Sequence, residues 1–201
     1  MKIYLTRHGE TTWNVENRIQ GQLDSPLTEA GIAMAETLAE SVQDLHFDAI
    51  YTSDLKRAVD TAAIIAKGAP LTMCPELREL DVGDWSGRKF TDIQAENSEA
   101  YRMYFNSPHR FRRDTGESLV DLSERVAAFF EKYILGSEDE TVLIVSHGVT
   151  IAAIFNYMEG VTLENFWTNR VRRNAMFNII EYSGGTFKIL QKAPKNPIDT
   201  I

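Results

Sequence analysis

The chain contains one cysteine, Cys74, in 201 residues. An internal disulfide is therefore excluded, and the fold must hold together without covalent staples, as proteins of a reducing compartment do. Cys74 itself is expected as an inert core thiol. No run approaches the roughly 20 apolar residues that a bilayer span needs, and the opening MKIYLTRHG lacks the apolar core of a secretory signal. Repeats and low-complexity tracts are also missing. Positive charge is scarce: 21 Lys and Arg stand against 29 Asp and Glu, a net charge of −8. A surface built throughout for nucleic acid is thereby excluded, because such binding draws on a broad positive field. These absences predict a cytoplasmic protein with neither a nucleic-acid nor a membrane partner. Any anionic ligand must meet a local basic pocket.

What is present suits a globular protein, with 43% hydrophobic and 25% charged residues. A chain of this length buries a substantial core, and residues 1–201 are expected to form a single domain. Lys2 to Thr6 is a short apolar run without alternation, the pattern of a strand buried on both faces. A polar loop follows. TEAGIAMAETLAESVQDL then places Ile32, Ala35, Leu38, Ala39 and Val42 at helical spacing behind Thr28 as N-cap. FDAIYTS predicts a second strand, and LKRAVDTAAIIAKG a second helix that Ser53 would cap and Gly68 and Pro70 would end. LTMC predicts a third strand, Ser118 to Tyr133 an amphipathic helix, TVLIVSHG a buried strand and VTIAAIFNYM a helix. AMFNIIEYSGGTFKILQ reads as a hairpin about Ser183-Gly184-Gly185, and KAPKNPIDTI as an irregular surface tail. About residues 84–116, rich in aromatics and charges with some helix from Asp92 to Phe105, predict an inserted cap segment.

Strands alternating with helices imply right-handed crossovers and an α/β fold: a mostly parallel central sheet with helices on both faces and an antiparallel edge from the hairpin. Ligands of such sheets bind at the carboxyl ends of the strands. Two predicted parallel strands end in similar tripeptides, Arg7-His8-Gly9 and Ser146-His147-Gly148. Their histidines are thus expected to face one another across one crevice, each followed by a glycine that lets a ligand approach the backbone. Arg57 lies in the first turns of a helix that opens on the same edge, where a cation opposes the helix dipole unless an anion is bound beside it. In ELRELDVGDWSG, Glu79 sits among Leu77, Leu80 and Val82; a carboxyl partly desolvated beside a phosphate dianion can hold a proton for a leaving group. Glu76, Asp81 and Asp84 are its rivals by composition.

Two histidines, two arginines and a carboxyl suit phosphoryl transfer through a covalent intermediate. Imidazole would attack phosphorus, arginines would hold the equatorial oxygens, and the acid would protonate the departing oxygen. The acids show no metal-ligand spacing and the arginines would repel a cation, so no metal is expected.

The ordered set LTRHGETTWN, SPLTEAG, TSDLKRAVDTA, LRELDVGDWSG, GESL and VSHG resembles the histidine phosphatase superfamily, also called the phosphoglycerate mutase family, over nearly the whole chain. The resemblance implies a phosphoglycerate mutase-like fold. It implies that His8 is the nucleophile, that Arg7, Arg57 and His147 form the phosphate pocket, and that Glu79 is the proton donor. It further implies that Asn14 and the Gly148 N–H contact phosphate and that Gln20 and Gly21 line the substrate entrance. His8 must attack as neutral imidazole, which neighbouring cations favour, with its other ring nitrogen donating to a backbone carbonyl.

The short chain resembles the phosphatase branch, implying hydrolysis of small phosphorylated metabolites without a cofactor. A mutase using 2,3-bisphosphoglycerate is the alternative, and a non-catalytic phospholigand-binding module a third reading. In the cap, Tyr101, Tyr104, Phe105 and Phe111 are candidates to cover a substrate, and Arg110, Arg112 and Arg113 to meet a further anionic group; self-packing aromatics and solvated arginines are the competing view. Arg170, Arg172 and Arg173 are open between strand edge, oligomer contact and pocket rim. Trp13, Trp85 and Trp167 are expected as packing anchors. Oligomeric state, a homodimer included, is not legible.

Overall fold

The computed structural model describes residues 1–195. In chain order it contains β1 (Lys2–Arg7), α1 (Thr12–Val15), α2 (Glu29–Ser41), β2 (Ala49–Thr52), α3 (Lys56–Ala66), β3 (Thr72–Met73), α4 (Phe90–Glu96), α5 (Glu99–Asn106), α6 (Leu119–Tyr133), β4 (Thr141–Ser146), α7 (Gly148–Glu159), β5 (Asn178–Ser183) and β6 (Thr186–Gln191). The strands form one sheet in the order β3-β2-β4-β1-β5-β6. β3, β2, β4 and β1 are parallel, while β5 and β6 run antiparallel at one edge.

Burial on both faces explains the unbroken apolar runs. Ile3 and Leu5 of β1 pack with Val142 and Ile144 of β4 in one core, together with Phe129 and Phe130 of α6 and Ile151 to Phe155 of α7. Tyr4, Leu143 and Val145 point the other way, onto Leu38 of α2 and Ala58, Ala62 and Ile65 of α3. The helices therefore cover both sheet faces as the sequence predicts, and each fully buried large side chain contributes roughly 1.5–3 kcal/mol. Cys74 is buried, and loss of solvation pushes its thiol up to about 11, so it stays protonated in the core.

Local signals hold where the pattern is strong. The Thr28 hydroxyl caps α2 by accepting from Gly31 N at 2.9 Å, and Ser118 with Asp121 forms a capping box on α6. The hairpin turns on Gly184 and Gly185, whose φ values of 56° and 77° suit a two-residue type I′ loop.

The helix expected around Asp92 to Phe105 is present as two pieces, α4 and α5, separated by Asn97 in left-handed backbone at φ 43°, with Ser98 capping the second. Three expectations need correction. The polar loop after β1 contains the short α1, capped by Thr11 and Asn14. Ser53 does not cap α3: Leu55 holds that position without a side-chain bond, and the Asp24 carboxylate, from a distant loop, accepts from the Lys56 and Arg57 N–H groups at 2.9 and 3.4 Å. Finally, the tail is pinned as far as it is described. Ala193 N donates to Asn178 Oδ1, and Arg173 N to the Pro194 carbonyl; the rest of the predicted tail lies outside the described residues.

Candidate active site

The parallel pairing of β1 with β4 sets Arg7 opposite Ser146, and His8 N donates to the Ser146 carbonyl at 3.0 Å. One residue further, the His8 and His147 rings stand 5.2 Å apart between centroids. Both are buried. His8 Nδ1 lies 2.7 Å from the Gly9 carbonyl, which accepts only if Nδ1 carries the hydrogen. That tautomer leaves the Nε2 lone pair available. Loss of solvation, then the Arg57 and Arg7 charges, hold His8 well below its ordinary 6.5, against an opposing pull from the Gly9 carbonyl. His147 is lowered for the same first reason, then by Arg57, His8, Arg7 and Arg125. Neither of its ring nitrogens has a hydrogen-bond partner among the described residues.

The two glycines after these histidines also serve packing. A Cβ on Gly9 would lie 2.5 Å from the Gly31 carbonyl oxygen, so helix α2 rides against the loop that carries His8. A Cβ on Gly148 would meet Val171 at 2.7 Å and approach the Arg7 guanidinium at 3.5 Å. Gly148 nevertheless also lines the cavity described below.

Arg57 is almost wholly buried. Its Nη1 donates to Asp24 Oδ1 at 2.8 Å and to the Leu23 carbonyl at 2.7 Å, and its Nη2 to the Gly21 carbonyl at 2.7 Å. Asp24 thus supplies the anion that the first turn of α3 requires, and the same carboxylate orients the guanidinium. Gly21 takes left-handed backbone at φ 53°, turning its carbonyl onto Arg57. Gln20, beside it, is buried and accepts from Ser25 Oγ at 3.1 Å.

Glu79 rests on the N-terminus of α7. Its Oε1 accepts from Thr150 N, Thr150 Oγ1 and Leu80 N at 3.0–3.2 Å, and its Oε2 from Val149 N at 3.1 Å. Arg125 holds the backbone of this segment by donating to the carbonyls of Glu76, Arg78 and Glu79. The rival acids are placed elsewhere: Glu76 beside Lys132, Asp84 against Arg113, and Asp81 accepting from Gly83 N.

Asn14 accepts on Oδ1 from Thr11 N, leaving its amide N–H groups for another acceptor. Asn174 donates to the carbonyls of His8 and Gly9 at 2.9 and 3.3 Å, tying the returning chain to the histidine loop. Asp24, Asn174 and Arg125 were missed in the sequence because each acts on backbone or side chains far along the chain. No local motif marks them.

A cavity of about 520 Å³ opens over these groups. Arg7, His8, Asn14, Gln20, Gly21, Arg57, Glu79 and Gly148 line it from the strand-end side, and Trp85, Phe90, Tyr101, Tyr104, Phe105 and Trp167 from the cap side, with Arg18 and Arg170 among its walls. Trp85 and Trp167 therefore face the cavity as well as packing, whereas Trp13 lies against Gly87. The expectation for the cap arginines is corrected. Arg110 and Arg112 are exposed away from the cavity, and Arg113 lies over the Trp85 ring, 3.9 Å from its centroid. Phe111 is core, packed on Trp85 and Tyr104. Of the later arginines, Arg170 reaches the cavity, Arg172 is buried with its carbonyl accepting from Arg7, and Arg173 is exposed. Among the described residues no group of three His, Cys, Asp or Glu side chains could hold a metal ion, and no helix is long and apolar enough to cross a membrane.

Fold and site together define the class, an α/β protein that gathers paired histidines and arginines beneath a cavity at the carboxyl edge of its sheet. A family model described as the histidine phosphatase superfamily (branch 1) matches residues 3–193. Phosphoserine phosphatase 1 of Hydrogenobacter thermophilus is 37% identical over 170 residues, covering 84% of this chain and 81% of that one. A probable phosphoglycerate mutase GpmB of Yersinia pestis is 35% identical over 185 residues, covering 90% and 85%. The solved structure of Bacillus stearothermophilus YhfR has a TM-score of 0.89 at 36% identity, covering 98% of this chain and 99% of that one. The chain belongs to the histidine phosphatase superfamily and is an enzyme acting on phosphate monoesters.

Proposed function

We propose that this enzyme hydrolyses small phosphorylated metabolites in the cytoplasm through a phosphohistidine at His8. The observation that carries the reading is the His8 ring, buried between two arginines with Nδ1 on the Gly9 carbonyl and Nε2 free. Phosphatases of this superfamily act through a phosphohistidine intermediate and without a metal cofactor. In the first step His8 Nε2 attacks phosphorus in line, the bond to the alcohol oxygen breaks, and Glu79 delivers a proton to that oxygen. Arg7, Arg57, the Asn14 amide and the Gly148 N–H hold the equatorial oxygens. The unpartnered His147 ring completes the cradle by donating one N–H to phosphate. Water then attacks phosphorus as the bond to His8 Nε2 breaks and returns its electron pair to the ring, Glu79 takes the water's proton, and orthophosphate leaves. The segment 84–116 acts as a substrate cap within one catalytic domain.

The mutase alternative rests on the likeness to the Yersinia protein. Phosphate release measured across a panel of monoesters separates the two, with 3-phosphoglycerate tested with and without 2,3-bisphosphoglycerate. Hydrolysis independent of the bisphosphate is expected. Isomerisation that strictly requires it, with negligible phosphate release, would assign the mutase.

The histidine pair also sets a pH dependence of stability. Both imidazoles are lowered from 6.5 in the folded protein, so below that pH the unfolded chain binds more protons than the native one. Stability is then full above about 6.5 and falls as pH drops toward the folded values, by up to ~1.4 kcal/mol per pH unit for each histidine. Urea midpoints between pH 7.5 and 5.5 are expected to decline, and His147→Gln to flatten the decline. A midpoint constant over that interval contradicts the burial of neutral histidines.

A further inference from the structure

We propose, resting on the phosphomonoesterase reading above, that the alcohol released by this enzyme carries a flat or bulky apolar body, an aryl or arylalkyl group, which seats against the ring wall of the cap.

The wall is a connected set of rings. Phe90 meets Tyr101 at 6.2 Å between centroids, Tyr101 meets Phe105 at 5.0 Å, and Phe105 stacks on Trp167 at 6.0 Å and 28°. Trp167 meets Tyr104 edge-on at 4.7 Å, and Tyr104 meets Trp85 at 6.0 Å. All six line the cavity, and all except Trp85 keep part of their surface exposed. Rings that served only to pack one another would have closed that surface.

The wall is also held from behind. Arg113 lies over Trp85, and Trp167 Nε1 donates to the Tyr104 carbonyl at 2.5 Å. A surface fixed in this way loses little conformational freedom when a ligand arrives. The cavity size points in the same direction. A phosphorylated three-carbon acid has about eleven heavy atoms, which take at most ~330 Å³ even at the ~30 Å³ that liquid water gives each, whereas the cavity offers about 520 Å³. Such a small polar ester fills the phosphate end and leaves the rings facing solvent. An apolar body removes that surface from water and gains the full transfer free energy.

The test compares 3-phenylpropyl phosphate with propyl phosphate. Both release primary alkanols of similar acidity, so the chemistry is matched and the difference reports the wall. The expected result is a kcat/KM at least ~10-fold higher for the phenyl ester, the return for burying one ring. In Tyr101→Ala and in Phe90→Ala the ratio of the two esters should shrink; a ratio is insensitive to the fraction of folded enzyme. A wild-type ratio of one or below, or a ratio unchanged in both variants, overturns the proposal. Calorimetric binding of 3-phenylpropylphosphonate against propylphosphonate separates this inference from the reading beneath it. Tighter binding of the phenyl compound without turnover of either ester leaves the wall standing and removes the phosphomonoesterase. Turnover of both esters with equal binding of the two phosphonates does the opposite.

Discussion

Replacement His8→Ala is expected to abolish phosphate release, by at least ~10⁴-fold in kcat, since a nucleophile acts as a unit with its cradle and its loss removes the covalent route. The accompanying signature is chemical. Wild-type enzyme quenched in alkali during turnover of a labelled monoester should retain label that acid then releases, as a phosphorus–nitrogen bond requires, and His8→Ala should retain none. The geometry makes this demand specific to one atom. Nδ1 is occupied by the Gly9 carbonyl at 2.7 Å, so Nε2 is the nitrogen left to bond phosphorus. Label persisting in the variant would move the nucleophile to His147, 5.2 Å away between ring centroids.

Glu79→Gln carries the second large effect, and its size should depend on the leaving group. The amide keeps the shape of the side chain but neither delivers a proton to the departing oxygen nor takes one from water. For alkyl monoesters, whose alkoxides leave poorly, kcat is expected to fall by ~10²–10⁴-fold. For p-nitrophenyl phosphate the leaving oxygen needs no proton, so the first step should survive while hydrolysis of the phosphohistidine slows. Rapid mixing is then expected to show a burst of about one equivalent of nitrophenol per site followed by a slow phase. Equal losses in the burst for alkyl and aryl esters would place the proton donor elsewhere. The substitution also turns one of the two acceptor oxygens that face Val149 N and Thr150 N into a donor, so the unfolding midpoint should be measured alongside, to separate lost chemistry from a loosened α7.

Both effects depend on residues that the chain reveals to different degrees. His8 and His147 were legible as a pair because each ends a short apolar run, and parallel strands bring their carboxyl ends to one edge by topology alone. Glu79 needed the family resemblance: composition offered four carboxylates within nine residues, and only the fold shows that one of them rests on the N-terminus of α7. Arg57 was legible as an oddity, a cation at the wrong end of a helix. Its counter-ion was not, because Asp24 lies 33 positions away in a loop without periodicity. Arg113 shows the opposite error. Its neighbours in HRFRRD suggested an anion site, while the folded cap turns it onto the back of Trp85.

By itself, then, the amino-acid order determined the strands, most of the helices and their caps, the parallel sheet, and the edge where the chemistry gathers. Those properties follow from local period, capping residues and the handedness of crossovers, each a matter of a few neighbouring residues. Tertiary structure alone decided that Asp24 restrains Arg57, that Asn174 and Arg125 brace the backbones of His8 and Glu79, that Gly9 meets Gly31, and that Trp167 joins the rings of residues 85–105 in lining one cavity with His8. These are contacts between loops far apart along the chain, and their energies exist only once packing has brought the partners together.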